Sequence, residues 1–150
     1  MSFSVNLAEL QPVKALMHRI GHLPMGDLLE LLGSEAESQT RRRIGEEKTD
    51  PAGDPWDEWS EAYAAHRPKK GGRLRPGGGL LDAISYSADG DDAVSVGSNL
   101  VYAATQQYGR ENEGGGMDIP ARPYVGVSDE NLVDLGDLTI RFIQRKAKGR

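Results

Sequence analysis

The sequence predicts an α+β domain: a small antiparallel β-sheet packed by a long helix in the N-terminal half and by a C-terminal helix, with long Gly-rich and charged loops. Three observations carry this. Apolar residues recur at helical spacing over 25–44 and again over about 129–146. Between them, from Ile84 to Val96, the period changes to two around an acidic turn. Backbone punctuation is dense, with 19 glycines and 8 prolines among 150 residues, so one modest core with long connections is expected.

Each element has its own warrant. Residues 1–24 read as an arm, in which Leu10, Val13, Met17 and Ile20 give a weak helical stretch over 7–22, with Pro12 in its first turn. In 25–44, Met25, Leu28, Leu29, Leu32 and Ala36 form one apolar stripe. Arg41, Arg42 and Arg43 suit the negative end of that helix, and Gly45 is the expected stop. Ile84, Tyr86 and Ala88, then Val94 and Val96, alternate with small polar residues across Asp89-Gly90-Asp91-Asp92, a hairpin pattern. Asn99 is placed to cap a helix running to Tyr108, with Gly109 as its stop. Residues 119–127, IPARPYVGV, hold two prolines and read as extended chain at a sheet edge. Ser128 caps the last helix, whose buried face is Leu132, Leu135, Leu138, Phe142 and Ile143.

Charge is segregated along the chain. Residues 46–61 carry Glu46, Glu47, Asp50, Asp54, Asp57, Glu58 and Glu61 against Lys48, and hold both tryptophans, Trp56 and Trp59. Residues 67–76 reverse the sign with Arg67, Lys69, Lys70, Arg73 and Arg75. Like charges at that density resist desolvation, so 67–79 is expected to be a flexible solvated loop, as is the Gly-rich 110–118. The two segments of opposite sign are suited to meet across a subunit boundary, where such complementarity sets register.

Composition excludes several classes. There is no Cys, so disulfides, thiolate catalysis and Cys-ligated metal sites are ruled out. The net charge of −5 argues against a general nucleic-acid coat. No apolar run reaches the roughly 18 residues of a membrane span, and no signal-peptide pattern opens the chain. His18 and His22 have i,i+4 metal spacing, but Gly21 lies between them and no acidic third ligand is near in sequence. Asp89, Asp91 and Asp92 start like a calcium loop, yet Leu100 stands where the bidentate Glu belongs. The triple-glycine runs lack the context of a phosphate loop. The expectation is therefore a protein that is not an enzyme and takes no cofactor and no metal. Its candidate residues are for interfaces. Trp56 and Trp59 read either as anchors under a loop or as contacts with a neighbouring chain. Arg67, Lys69, Lys70, Arg73 and Arg75 read as a solvated loop, or as contacts to an acidic neighbour or to DNA. Arg122 sits between two prolines on a stiff extended segment, which aims its fork at a carboxylate or at carbonyls, and Tyr124 follows it.

Ordered pieces of the chain resemble the phage virion morphogenesis family, also described as tail completion proteins. They are Pro51-Ala52-Gly53-Asp54-Pro55-Trp56 after a helical N-terminus; a basic linker and the leucine-glycine segment Leu74 to Ile84; and Val94-Ser95-Val96-Gly97 leading into Tyr102-Ala103. Gln107-Tyr108-Gly109 follows, and then Pro120-Ala121-Arg122-Pro123-Tyr124 before the last helix. The resemblance covers about residues 25–145. Gly97, Tyr102, Gln107, Tyr108, Gly109, Pro120 and Pro123 are the structural positions it marks. The chain departs from the family at Gln106, where His is frequent. The resemblance implies a structural virion protein of the neck or the head-proximal tail end, which joins or completes the tail within a ring of copies. By analogy with a tail tube that ring is hexameric. Its implied partners are itself and other neck and tail proteins, with genomic DNA passing through the lumen and no membrane. A terminator capping the tail tube is the alternative within that class. A nucleic-acid-binding packaging factor, using Arg67 to Arg75 and the basic C-terminus, is the alternative outside it.

Overall fold

A computed structural model describes residues 2–6, 23–59, 61–66, 79–111, 114 and 118–148. The elements in chain order are β1 (Ser2–Asn6), α1 (Met25–Arg42), a π-helical turn (Arg43–Glu47), α2 (Glu61–His66), α3 (Gly79–Asp82), β2 (Ile84–Asp89), β3 (Ala93–Ser98), α4 (Ala103–Tyr108) and α5 (Asp129–Lys148). The α+β expectation holds. The expectations for 7–22, including His18 and His22, for Arg67, Lys69, Lys70, Arg73 and Arg75, and for most of 110–118 fall outside the described residues.

The sheet is antiparallel in the order β1-β3-β2. The hairpin pairs Ile84 with Ser98 and Asp89 with Ala93, so the period-two reading places both strands. The third strand was not anticipated. Ser2–Asn6 pairs along β3, Phe3 opposite Val96 and Val5 opposite Val94. The sheet therefore closes with the N-terminus, and 119–127 is not an edge strand.

Helix α1 packs against β2 and β3 and also against α5. Leu28, Leu29 and Leu32 are buried with Val94, Leu135, Phe142 and Ile143. Each such aliphatic side chain contributes about 1.5–3 kcal/mol when fully buried. The helix approaches the sheet most closely at Gly33. A Cβ there would lie 2.3 Å from the Tyr86 ring and 2.7 Å from Val94, so only glycine permits this crossing. A second cluster joins Ala36, Ile44, Trp56, Leu80, Ile84, Val96, Ala103, Tyr124 and Val125.

Two boundaries and one helix face also differ from expectation. Helical winding runs past Gly45 to Glu47 and stops at Lys48, a left-handed residue at φ 57°. The Lys48 N–H closes the wide turn on the Arg43 carbonyl at 2.8 Å, and the Lys48 carbonyl accepts from the Trp56 N–H. The wider turn keeps Arg43 and Ile44 both inside. Helix α4 begins at Ala103, with Tyr102 as a cap that supplies no side-chain bond, so Asn99 is not the cap. The Ser98 hydroxyl instead accepts from the Leu100 N–H. Finally, Leu132 faces outward, 49% exposed. Polar Asn131 and Thr139 take the inner stripe with Leu135, Phe142 and Ile143, because each finds a buried partner.

Candidate functional site

The Pro-Ala-Arg-Pro-Tyr segment runs as a strap beneath α4, the π-turn and the acidic loop. Side chains and a few backbone bonds, not a sheet ladder, satisfy its backbone. Gln107, on α4, does most of this. Its Oε1 accepts from the N–H groups of Tyr124 and Val125 at 2.9 and 3.0 Å, and its Nε2 donates to the Val125 carbonyl at 3.0 Å. One amide thus satisfies three strap groups, which a buried irregular segment requires. The Arg122 N–H donates to the Gln106 carbonyl at 2.7 Å.

Gly109 sets the return from α4. It lies at φ 74°, and its N–H donates to the Thr105 carbonyl. A Cβ there would come within 2.6 Å of the Ile119 carbonyl oxygen. Arg110 and Ile119 then exchange backbone hydrogen bonds at 2.8 and 2.9 Å, which clamps the base of the 110–118 loop.

Arg43 holds the strap from the other side. Its guanidinium is 2% exposed. Nη1 donates to the carbonyls of Tyr124 and Gly126 at 3.1 and 2.8 Å, and Nη2 donates to Asn131 Oδ1 at 2.5 Å. Burial pulls its pKa below the usual arginine value, with Glu47 acting in opposition. The group stays charged at any ordinary pH. Asn131 is itself fixed by a reciprocal cap: its N–H donates to Ser128 Oγ, and its Oδ1 accepts from the Ser128 N–H. Strap, π-turn and α5 therefore share one hydrogen-bonded centre. Adjacent Arg42 is half-exposed and pairs with Glu47 at 3.0 Å, a hydrogen bond that raises its pKa.

The interface expectation for Trp56, Arg122 and Tyr124 is corrected here, because all three are inside the chain. Trp56 is 4% exposed and donates from Nε1 to the Pro123 carbonyl at 3.0 Å. Tyr124 is fully buried and donates to the Ala103 carbonyl; burial pushes its hydroxyl up to about 12. Arg122 is buried and donates through Nη2 to the carbonyl of Asp57 at 3.2 Å. Its guanidinium also lies over half-buried Trp59, 4.5 Å from the ring centroid. The rigid fork does meet carbonyls, but those of its own acidic loop. Pro120 and Pro123 are half-buried along the strap, and Gly97 is buried in β3. Tyr102 and Tyr108 are outside, at 43% and 70% exposure.

Sequence reasoning missed Arg43 and Asn131. In Arg41-Arg42-Arg43 nothing separates the buried arginine from its half-exposed neighbours except helical phase: Arg43 lies seven residues after Ala36, two turns along the buried stripe. On the surface, the loop start and the first turn of α5 form an acidic cleft lined by Glu47, Asp50, Asp129 and Glu130, with Arg43 in its wall. Among the described residues no group of three or more His, Asp or Glu is placed to hold a metal ion, and no helix is long and apolar enough to cross a membrane.

No curated protein and no solved structure matches the chain. The family comparison does match, over residues 8–144, and that span takes in the strap, the hairpin, all of α1 and α5 as far as residue 144. The motif order along the chain, the strap those motifs build and this match agree: the chain belongs to the phage virion morphogenesis family.

Proposed function

We propose that this protein is a structural part of the head–tail junction, joining or completing the phage tail as one subunit of a ring-shaped oligomer. Membership of the phage virion morphogenesis family carries the reading, since it implies a virion structural or assembly role and interaction with other virion proteins. The distribution of the chain's chemistry supports the finer part. The motif residues bond to one another inside the chain. The described surface carries an acidic cleft, and the sequence supplies a basic segment at 67–76. A closed ring is built from two different, complementary surfaces on each copy. The acidic cleft of one copy with the basic segment of the next provides such a pair. The proposal assigns no catalytic step, no cofactor and no membrane contact.

The test is a phage lysate in which this gene is silenced, viewed by electron microscopy. Filled heads beside separate tails of normal length are expected. Tails of abnormal length would replace the joining role with the terminator role. Heads without DNA would replace it with the packaging role. Charge reversal at Lys69, Lys70 and Arg73 is expected to keep subunits out of particles, and reversal of Glu47 and Asp50 to restore entry.

A further inference from the structure

Strand β2 lies at one edge of the sheet, and its backbone faces two ways. In an antiparallel ladder, alternate residues turn both N–H and C=O toward the partner strand, and the residues between them turn both away. The Ile84 carbonyl and the Tyr86 N–H meet side chains of α1, not β3. The outward set is therefore Ile84, Tyr86 and Ala88. The inward set is Ser85, Ser87 and Asp89, opposite Gly97, Ser95 and Ala93.

An open edge accepts another strand unless a charge, a proline or a bulge blunts it. From Ile84 to Ala88 the strand has none of these. Ile-Ser-Tyr-Ser-Ala carries no charge, no proline and no glycine, and its register with β3 is unbroken. Ser85 and Ser87 are exposed but too small to bar a neighbour.

The blunting comes from α1. Arg41 Nη2 donates to the Ile84 carbonyl at 2.8 Å, and Glu37 Oε2 accepts from the Tyr86 N–H at 3.2 Å. The two side chains are joined to each other, Arg41 Nη2 to Glu37 Oε1 at 3.0 Å, one helical turn apart. Together they present one donor and one acceptor to the C=O of residue 84 and the N–H of residue 86. A single residue of an added parallel strand would engage the same two groups. A half-exposed ion pair of this kind adds little stability by itself, so its consequence lies in what it covers.

We infer that Glu37 and Arg41 form an edge guard, an autoinhibitory contact that keeps the β2 strand of a second copy from adding to this sheet. The excluded occupant is another copy because the edge is self-complementary. Its outward residues are spaced evenly about Tyr86. Two β2 edges therefore match antiparallel across a two-fold axis at that residue, with Ile84 set against Ala88 of the partner subunit. No charge in the paired run opposes this. The guard is separate from the acidic cleft and does not depend on the neck reading.

Hydrogen exchange in purified wild-type protein tests the cover without any variant. The amides of Tyr86 and Ala88 face outward from the same edge, and Glu37 covers that of Tyr86. Corrected for intrinsic rates, Tyr86 should exchange more slowly than Ala88 by about tenfold or more. Sedimentation over a concentration series tests the consequence. Glu37→Ala with Arg41→Ala is expected to self-associate at a concentration about tenfold below that of wild type. Glu30→Ala, which removes an exposed carboxylate from the same helix, should behave as wild type. Adding Ala88→Pro to the double variant should abolish the gain, because residue 88 gives no ladder bond to β3 and proline there blocks the open edge. Circular dichroism checks that each variant is folded; if the double variant does not fold, the wild-type exchange comparison decides alone. Equal exchange at Tyr86 and Ala88, a folded double variant that associates no more than wild type, or association that survives Ala88→Pro would each overturn the inference.

Discussion

Replacing Arg43 with methionine tests the hydrogen-bonded centre of the fold. Methionine refills the volume of the aliphatic stem, so the loss falls on the guanidinium. The carbonyls of Tyr124 and Gly126 lose their side-chain donor, and the Asn131 amide oxygen loses one of its two, keeping the Ser128 N–H. A buried polar group left unpaired costs about 1–3 kcal/mol. The low end of that range for the two carbonyls, with about 1 kcal/mol for the lost bond to Asn131, gives about 3 kcal/mol, a large share of the roughly 5–15 kcal/mol that stabilises a domain. At about 2–4 °C per kcal/mol for a chain of this size, the melting temperature should fall by about 6–12 °C. Arg42→Met is the internal comparison. It removes an exposed pair with Glu47, both side chains near 40% exposure, worth about 0–1 kcal/mol. Thermal unfolding followed by circular dichroism reads both. A fall of less than about 2 °C for Arg43→Met, or equal falls for the two neighbours, would refute the claim that strap, π-turn and α5 are joined through this side chain.

Three more outcomes follow from the same geometry. Arg122→Lys keeps a charge but loses the planar fork over Trp59 and its fixed aim at the Asp57 carbonyl; protease cleavage within 50–60 should quicken, and unchanged cleavage would count against the contact. Gly109→Val forces a side chain into φ 74° and against the Ile119 carbonyl; it should lower stability by more than about 1 kcal/mol, and an unaltered denaturation midpoint would show that the α4 return tolerates a Cβ. Tyr124 has a folded pKa raised to about 12, against about 10 in an unfolded chain. Its contribution is therefore fully present below pH 10 and is lost as pH rises from about 10 toward 12, because the unfolded state gives up its proton first. Tyr124→Phe should remove that part of the alkaline loss, and identical alkaline profiles for the two proteins would contradict the burial assigned to the hydroxyl.

Local chemistry was legible in the sequence, and long-range pairing was not. Ile84 to Val96 declares a hairpin because alternation and an Asp-Gly turn act within a dozen residues. Ser128 and Gly109 act on their own helix ends and stand where they were expected. Ser2–Asn6 gives too short a pattern to announce a strand, and its partner β3 lies some ninety residues away. The strap was read as an edge strand because its prolines forbid a central ladder. The alternative, a buried segment satisfied by Gln107 and Arg43, depends on residues 17 to 83 positions distant. The same blindness affected the site. Trp56, Arg122 and Tyr124 are residue types enriched at interfaces, and in this chain they meet one another's segments. Leu132 looked like core because the stripe was counted in apolar residues, while the inner face had room for Asn131 and Thr139 once each had a partner.

Cryo-electron microscopy of intact virions without imposed symmetry tests the proposed place of this family member as a ring subunit at the head–tail junction. A ring of density is expected between the portal end of the head and the tail tube, into which the fold fits with the acidic cleft of each copy facing the 67–76 segment of its neighbour. Finished virions that lack the protein, or that carry it only along the tube, in the baseplate or in the capsid, would contradict it.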